Sequence, residues 1–169
     1  MKSKCLFLDR DGVINYDFGY VYLVEDFKFR DEIFILCKEA KANLFKIIVI
    51  TNQAGIGRGY YSEDEFQKVN KYMLNTFKFK NIEIDDVFFC PFHPVYGKGK
   101  YLKNSFDRKP NPGMFLKAAN IHNIDLKKSI MIGDKNSDKE AAFKAGIGFY
   151  VDAKLNDWID RTLDYINNN

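Results

Sequence analysis

The stretch CLFLDRDGVINYD, residues 5–17, begins with four apolar residues and then turns acidic. Cys5, Leu6, Phe7 and Leu8 form the short continuous apolar run of a strand buried on both faces. Asp9 ends the run, Asp11 follows with one residue between, and Gly12 marks a turn. Residues two apart in an extended chain point to the same side, roughly 6.6 Å apart at Cα. Both carboxylates therefore address one small volume, where each raises the cost of ionising the other.

The same pattern recurs along the chain. Apolar runs at Ile47–Ile50, Val87–Phe89, Ile130–Ile132 and Phe149–Val151 end at Thr51, Cys90, Gly133-Asp134 and Asp152. Between the runs lie segments of helical spacing, Glu32–Leu44, Ser62–Phe79, Pro112–Asn120 and Ser137–Ala145. Ser62 followed by Glu65 is a capping box, and Gly146 is a helix stop. Strands alternating with helices predict an α/β fold, a mostly parallel sheet covered on both faces. Right-handed crossovers bring every strand's carboxyl end to one edge, where ligands of open α/β sheets bind. Asp9, Asp11, Thr51, Asn52 and Asp134 converge there. Two long loops, 15–27 and 91–107, interrupt the alternation and are read as functional or disordered segments. The terminal Asn167-Asn168-Asn169 is expected to fray.

A cation removes the repulsion that the first stretch implies. Asp134, in IMIGDKNSD, supplies a further acid from another strand end, and no Cys/His cluster competes with the three carboxylates. Oxygen ligands of this kind suit Mg2+.

Composition narrows the function. The 169 residues, 46% hydrophobic and 29% charged, suit one compact domain with at most modest insertions. A net charge of +3, with no run of like charges, argues against a nucleic-acid partner. Three widely spaced cysteines, Cys5, Cys37 and Cys90, read as reduced thiols. Only four apolar residues separate Lys4 from Asp9, too few for a signal peptide or a membrane span. A cytoplasmic monomer with no membrane partner is expected.

The motifs DRDGV, TNQ, RKP and GDKNSD occur in that order. Together they resemble the haloacid dehalogenase (HAD) superfamily of phosphotransferases. FLDRDGVIN, GYV, VITNQAGIGRG, RKPNPGM and MIGDKNSD, over residues 5–152, are similar to its histidinol-phosphate and heptose-bisphosphate phosphatase branch. The resemblance implies a single Rossmann-like domain over residues 1–169 with three α/β/α layers and strand order 5-4-1-2-3. With no large insertion after the first or third strand, no separate cap domain is expected, and loop 15–27 acts as a flap.

It also implies roles. Asp9 is the nucleophile that forms an aspartyl-phosphate, and Asp11 is the general acid and then the base. Mg2+ is held by Asp9, the Asp11 main-chain carbonyl and Asp134. Thr51 and Lys109 hold the transferring oxygens, and Lys135 lies beside them. Asp138 acts from behind these groups or caps its helix. Asp17, Phe18, Gly19, Tyr20, Asn52 and Gln53 contact the phosphorylated sugar, and Arg108 meets a distal phosphate. Arg58, in GIGRGYY, is a further cation suited to an anion.

Relatives of this branch carry a structural zinc on a Cys-x-His … Cys-x-Cys loop. Here the four positions read Cys90, Phe92, Ser105 and Asp107, with His93 one place out of register, so no structural zinc is expected. Packing of Phe92, Tyr96, Tyr101 and Phe106 must then order loop 91–107, or it stays mobile. Ala54 replaces the Ser common after TNQ. The implied activity is Mg2+-dependent removal of the C7 phosphate of D-glycero-D-manno-heptose 1,7-bisphosphate, in nucleotide-heptose supply for lipopolysaccharide or capsule. Histidinol-phosphate phosphatase is the near alternative, and a non-catalytic phosphosugar-binding protein the alternative of another class. Dehalogenase chemistry is disfavoured, because Asp11 suits protonation of an oxygen leaving group.

Overall fold

The computed structural model describes residues 2–169. Its sheet is built from β1 (Cys5–Leu8), β2 (Lys46–Asn52), β3 (Asp86–Cys90), β4 (Ile130–Gly133) and β5 (Phe149–Asp152). The order is β3-β2-β1-β4-β5 with every neighbour parallel, the expected order read from the opposite edge. β1 is central, with Leu8 opposite Val49 on one side and Ile132 on the other. A strand flanked twice and covered twice exposes neither edge nor face, hence its unbroken apolar run.

Alternation along the strands divides the core. Leu6, Leu8, Ile47, Val49, Ile130 and Ile132 face α1 (Glu32–Ala42), α3 (Glu63–Phe79) and α6 (Trp158–Asn167). Cys5, Phe7, Ile48, Ile50 and Met131 face α4 (Gly113–His122) and α5 (Asn136–Ala145). The capping box forms as expected: Ser62 Oγ accepts from Glu65 N at 3.2 Å, and Ser62 N donates to Glu65 Oε2 at 2.7 Å. α5 stops at Gly146, which takes a left-handed φ of 79°.

Two helices lie outside the sequence reading. α2 (Ala54–Arg58) is a single turn or so directly after β2. α6 buries Trp158, Thr162 and Ile166 at i, i+4, i+8 spacing, and Thr162 Oγ1 donates to Trp158 O at 2.7 Å. The asparagine tail, expected to fray, follows directly on α6. Asn167 ends α6, and the amides of Asn168 and Asn169 donate to the carbonyls of Asp164 and Tyr165. Among the described residues no helix is long and apolar enough to cross a membrane.

Both long loops are tied to the sheet's carboxyl edge. Loop 15–27 buries Val21 and Phe27. In loop 91–107, His93 N donates to Tyr101 O at 3.1 Å, and the Phe92 and Tyr101 rings lie 6.1 Å apart. Phe106, expected to pack, is 61% exposed; its carbonyl instead accepts from Gly113 N at the start of α4. At the four positions of the relatives' metal pattern, the Ser105 hydroxyl accepts from Asp107 N at 3.2 Å, and the Asp107 carboxylate pairs with Lys117. One thiol in that company makes a poor zinc site.

Candidate active site

Asp9 is carried past the end of β1, and its amide still donates to Ile132 O of β4 at 3.0 Å. Its Oδ1 accepts from Arg10 N at 2.8 Å and lies 3.0 Å from Lys109 Nζ. Oδ2 makes no hydrogen bond among the described residues and remains open for chemistry. Lys109 is buried: Nζ reaches Asp138 Oδ1 at 2.6 Å and donates to Ile50 O at 2.8 Å. Asp138, in the first turn of α5, accepts from the amides of Asp134 at 3.2 Å and Lys135 at 3.0 Å through its other oxygen. It thus caps the helix and orients the lysine at once.

Carboxylate oxygens of Asp9, Asp134 and Asp138 lie within 4.8 Å of one another. Three carboxylates against one ammonium leave two negative charges in a buried space. Burial pushes Asp9 up to about 7, and Asp138 and Asp11 add to this against the pull of Lys109. Asp134 is raised too, by burial and then by Asp138. Burial alone would lower Lys109, but Asp9 and Asp138 hold it up. Asp134 Oδ1 is buried without a partner. Space for its carboxylate exists because residue 12 is glycine: a Cβ there would stand 2.5 Å from Asp134 Oδ2, at a φ of +87°. All-oxygen donors, an orphaned carboxylate oxygen and two uncompensated charges fit a hard divalent cation.

Asp11 is placed differently from the in-strand geometry. β1 ends at Leu8 and the chain turns at Gly12, so the Asp11 carboxylate stands outside that trio. Arg10 Nη2 donates to both its oxygens at 3.0 Å, Asn15 Nδ2 donates to Oδ1 at 3.0 Å and Gln53 Nε2 to Oδ2 at 3.1 Å. Gln53 Nε2 also donates to Thr51 Oγ1 at 2.9 Å, which leaves the threonine O–H free to donate outward. Tyr61 OH in turn donates to Gln53 Oε1 at 2.5 Å.

Arg10 has no role in the sequence reading, yet the structure gives it one. It is 1% exposed, donates to Val21 O at 2.7 Å and lies 5.8 and 5.6 Å from the ring centres of Phe27 and Phe66. It fastens loop 15–27 to Asp11. Arg10→Met is expected to cost about 3–5 kcal/mol by urea denaturation, because it strands a carboxylate and a buried carbonyl. A loss below about 1 kcal/mol would mean that the pair does not hold the loop.

A cleft of about 360 Å³ opens over Asp11, lined by Asp17, Gly19, Tyr20, Asn52, Gln53, Arg58, Arg108 and Lys135 among others. Lys135 Nζ meets Asp17 Oδ2 across it at 3.0 Å. Burial would lower Lys135, but Asp17 and Asp134 raise it; Asp17 is held down by the Gly19 amide and Lys135 against burial. Asn52 lines the cleft, yet both ends of its amide engage the Lys109 main chain, at 3.0 and 3.1 Å. Phe18 is not among the lining residues; it is 67% exposed and stacks on Tyr16.

Comparison with known proteins identifies the family. A family model described as HAD-hydrolase-like matches residues 106–151. The D-glycero-alpha-D-manno-heptose-1,7-bisphosphate 7-phosphatase of Burkholderia mallei is 53% identical over 148 residues, 88% of this chain and 78% of that protein. A Mesorhizobium loti protein described as HAD-like superposes with a TM-score of 0.91 at 30% identity, covering 99% of this chain and 87% of that one. The D,D-heptose 1,7-bisphosphate phosphatase of B. bronchiseptica, solved with magnesium and phosphate, superposes with a TM-score of 0.77 at 26% identity, covering 86% and 78%. The chain belongs to the heptose-1,7-bisphosphate 7-phosphatase family of HAD-like hydrolases.

Proposed function

We propose that the protein is a cytoplasmic phosphomonoesterase that removes the C7 phosphate of D-glycero-D-manno-heptose 1,7-bisphosphate, supplying precursor for surface glycans. The observation that carries this reading is the buried Asp9–Lys109–Asp138–Asp134 cluster at the carboxyl edge of the sheet. Asp9 attacks phosphorus; the new Asp9 O–P bond forms as the bond to the sugar oxygen breaks, and Asp11 gives that oxygen its proton. Water then attacks the aspartyl-phosphate and yields a proton to Asp11, while phosphate departs and Asp9 is restored. Every partner of the Asp11 carboxylate is a donor, so this arrangement suits its ionised state, the one that awaits water. Lys109 Nζ and the Thr51 hydroxyl hold the transferring oxygens.

Asp9 and Asp134, with the Asp11 main-chain carbonyl, would hold Mg2+, which neutralises the cluster and draws charge from the phosphoryl group. Asp17, Gly19, Tyr20, Gln53 and Lys135 bind the sugar. Asn52 serves it by fixing Lys109. Loop 91–107 needs no zinc, because Ser105 and Asp107 have partners of their own.

The test is phosphate release from the heptose bisphosphate and from histidinol phosphate, each with Mg2+ and with EDTA. The expected result is EDTA-sensitive hydrolysis with kcat/KM at least about 100-fold higher for the heptose bisphosphate, the scale set by one to two charge-assisted contacts. Equal or better use of histidinol phosphate refutes the substrate. Inactivity towards every phosphoester leaves a binding protein.

A further inference from the structure

The far end of the cleft gathers more positive charge than its own hydrogen bonds use. Arg58, the last residue of α2, and Arg108 both line it, and His93 stands beside Arg58. His93 Nδ1 accepts from the amides of Val95 at 3.1 Å and Tyr96 at 3.0 Å. An imidazole nitrogen that accepts carries no proton, so the ring hydrogen sits on Nε2. That Nε2 lies 3.5 Å from Arg58 Nη2. Two N–H donors facing each other cannot satisfy one another.

Other features sharpen the mismatch. Arg58 Nε is buried without a partner. The Tyr96 ring lies 4.4 Å from the guanidinium carbon and fixes its plane. Arg108 is anchored through Nη1 to Phe92 O at 3.2 Å, which leaves the rest of its fork uncommitted. Burial lowers both His93 and Arg108, and Arg58 adds to each, so the three groups feel one another's field. Converging donors with no acceptor between them call for a ligand with several anionic oxygens.

We propose that Arg58 and the Nε2–H of His93 complete, with Arg108, a subsite for the second, non-reacting phosphate of a sugar bisphosphate. The proposal rests on the substrate reading above and adds two residues that set its specificity. Arg58 closes the subsite from α2, and His93 closes it from loop 91–107. Loop 91–107 thereby acquires a role in recognition, since its main chain fixes the imidazole tautomer that donates.

The test compares kcat/KM on a sugar bisphosphate with that on the matching sugar carrying only the scissile phosphate, in wild type, Arg58→Met and His93→Asn. An asparagine side chain keeps an acceptor for the Val95 and Tyr96 amides and removes the outer N–H. Arg58→Met is expected to lower the bisphosphate-to-monophosphate ratio by about 10- to 100-fold, chiefly through KM for the bisphosphate. His93→Asn is expected to lower it several-fold. A ratio unchanged from wild type in Arg58→Met overturns the subsite, and so does an equal loss on both substrates. The ratio is read on whichever sugar bisphosphate the wild type hydrolyses. Failure on the heptose compound alone therefore sinks only the sugar's identity, whereas a wild type that hydrolyses no sugar bisphosphate sinks both.

Discussion

Asp9→Asn is expected to lower turnover of the heptose bisphosphate by at least about 10⁴-fold while the chain remains folded. An amide is no useful nucleophile at phosphorus, and phosphate-monoester hydrolysis needs up to ~10²¹-fold acceleration, so no neighbouring group can replace the lost one. Stability should move the other way. Burial, with the crowding of Asp138 and Asp11 added against the pull of Lys109, pushes Asp9 from 3.8 to about 7. A carboxyl raised in this way binds its proton more tightly folded than unfolded. Its stabilising contribution is complete below about pH 4 and is lost as pH rises through about 7. In EDTA, the wild-type melting temperature should therefore fall between about pH 5 and 8 more steeply than that of Asp9→Asn. A variant that kept a tenth of wild-type turnover would remove Asp9 from the nucleophile's place; parallel melting curves would remove the crowding.

That crowding is legible without any coordinates, because it is written locally. The apolar run of β1, the acids after it and Gly12 lie within eight residues, and parallel topology alone brings Asp134 to them. What stays hidden depends on distant partners. Arg10 beside an aspartate reads as an ordinary surface cation; its burial is decided by Val21, Phe27 and Phe66, from a loop and a helix elsewhere. Asn52 reads as a substrate contact in TNQ, and only the approach of residue 109 shows where its amide is used. Asp138 reads as either a supporting acid or a helix cap, and its two oxygens let it be both. The turn at Gly12 explains why Asp11 leaves the trio, since strand geometry holds only while the strand lasts. α6 buries every fourth residue, a signal obscured by the asparagines that follow it.

Lys109→Met separates the two demands placed on one ammonium. The change removes the one ammonium that contacts Asp9 and Asp138 and strips a donor from the Ile50 carbonyl. Breaking a buried pair in this manner is expected to cost about 3–5 kcal/mol by urea denaturation without divalent cation. Loss of a donor to the transferring oxygens should lower kcat by about 10³-fold with Mg2+ present. Adding Asp138→Asn discriminates between charge balance and catalysis. The side-chain oxygen of the introduced asparagine can still accept from the Asp134 and Lys135 amides, as Asp138 Oδ2 does, while one uncompensated charge disappears. The double variant should thus recover most of the lost stability, a coupling that a double-mutant cycle reads directly. Its kcat should stay at the level of Lys109→Met, because nothing at position 138 can donate where the ammonium did. Recovery of activity together with stability would show that Lys109 only balances the carboxylates, and the transferring oxygens would then be held by Thr51 without it.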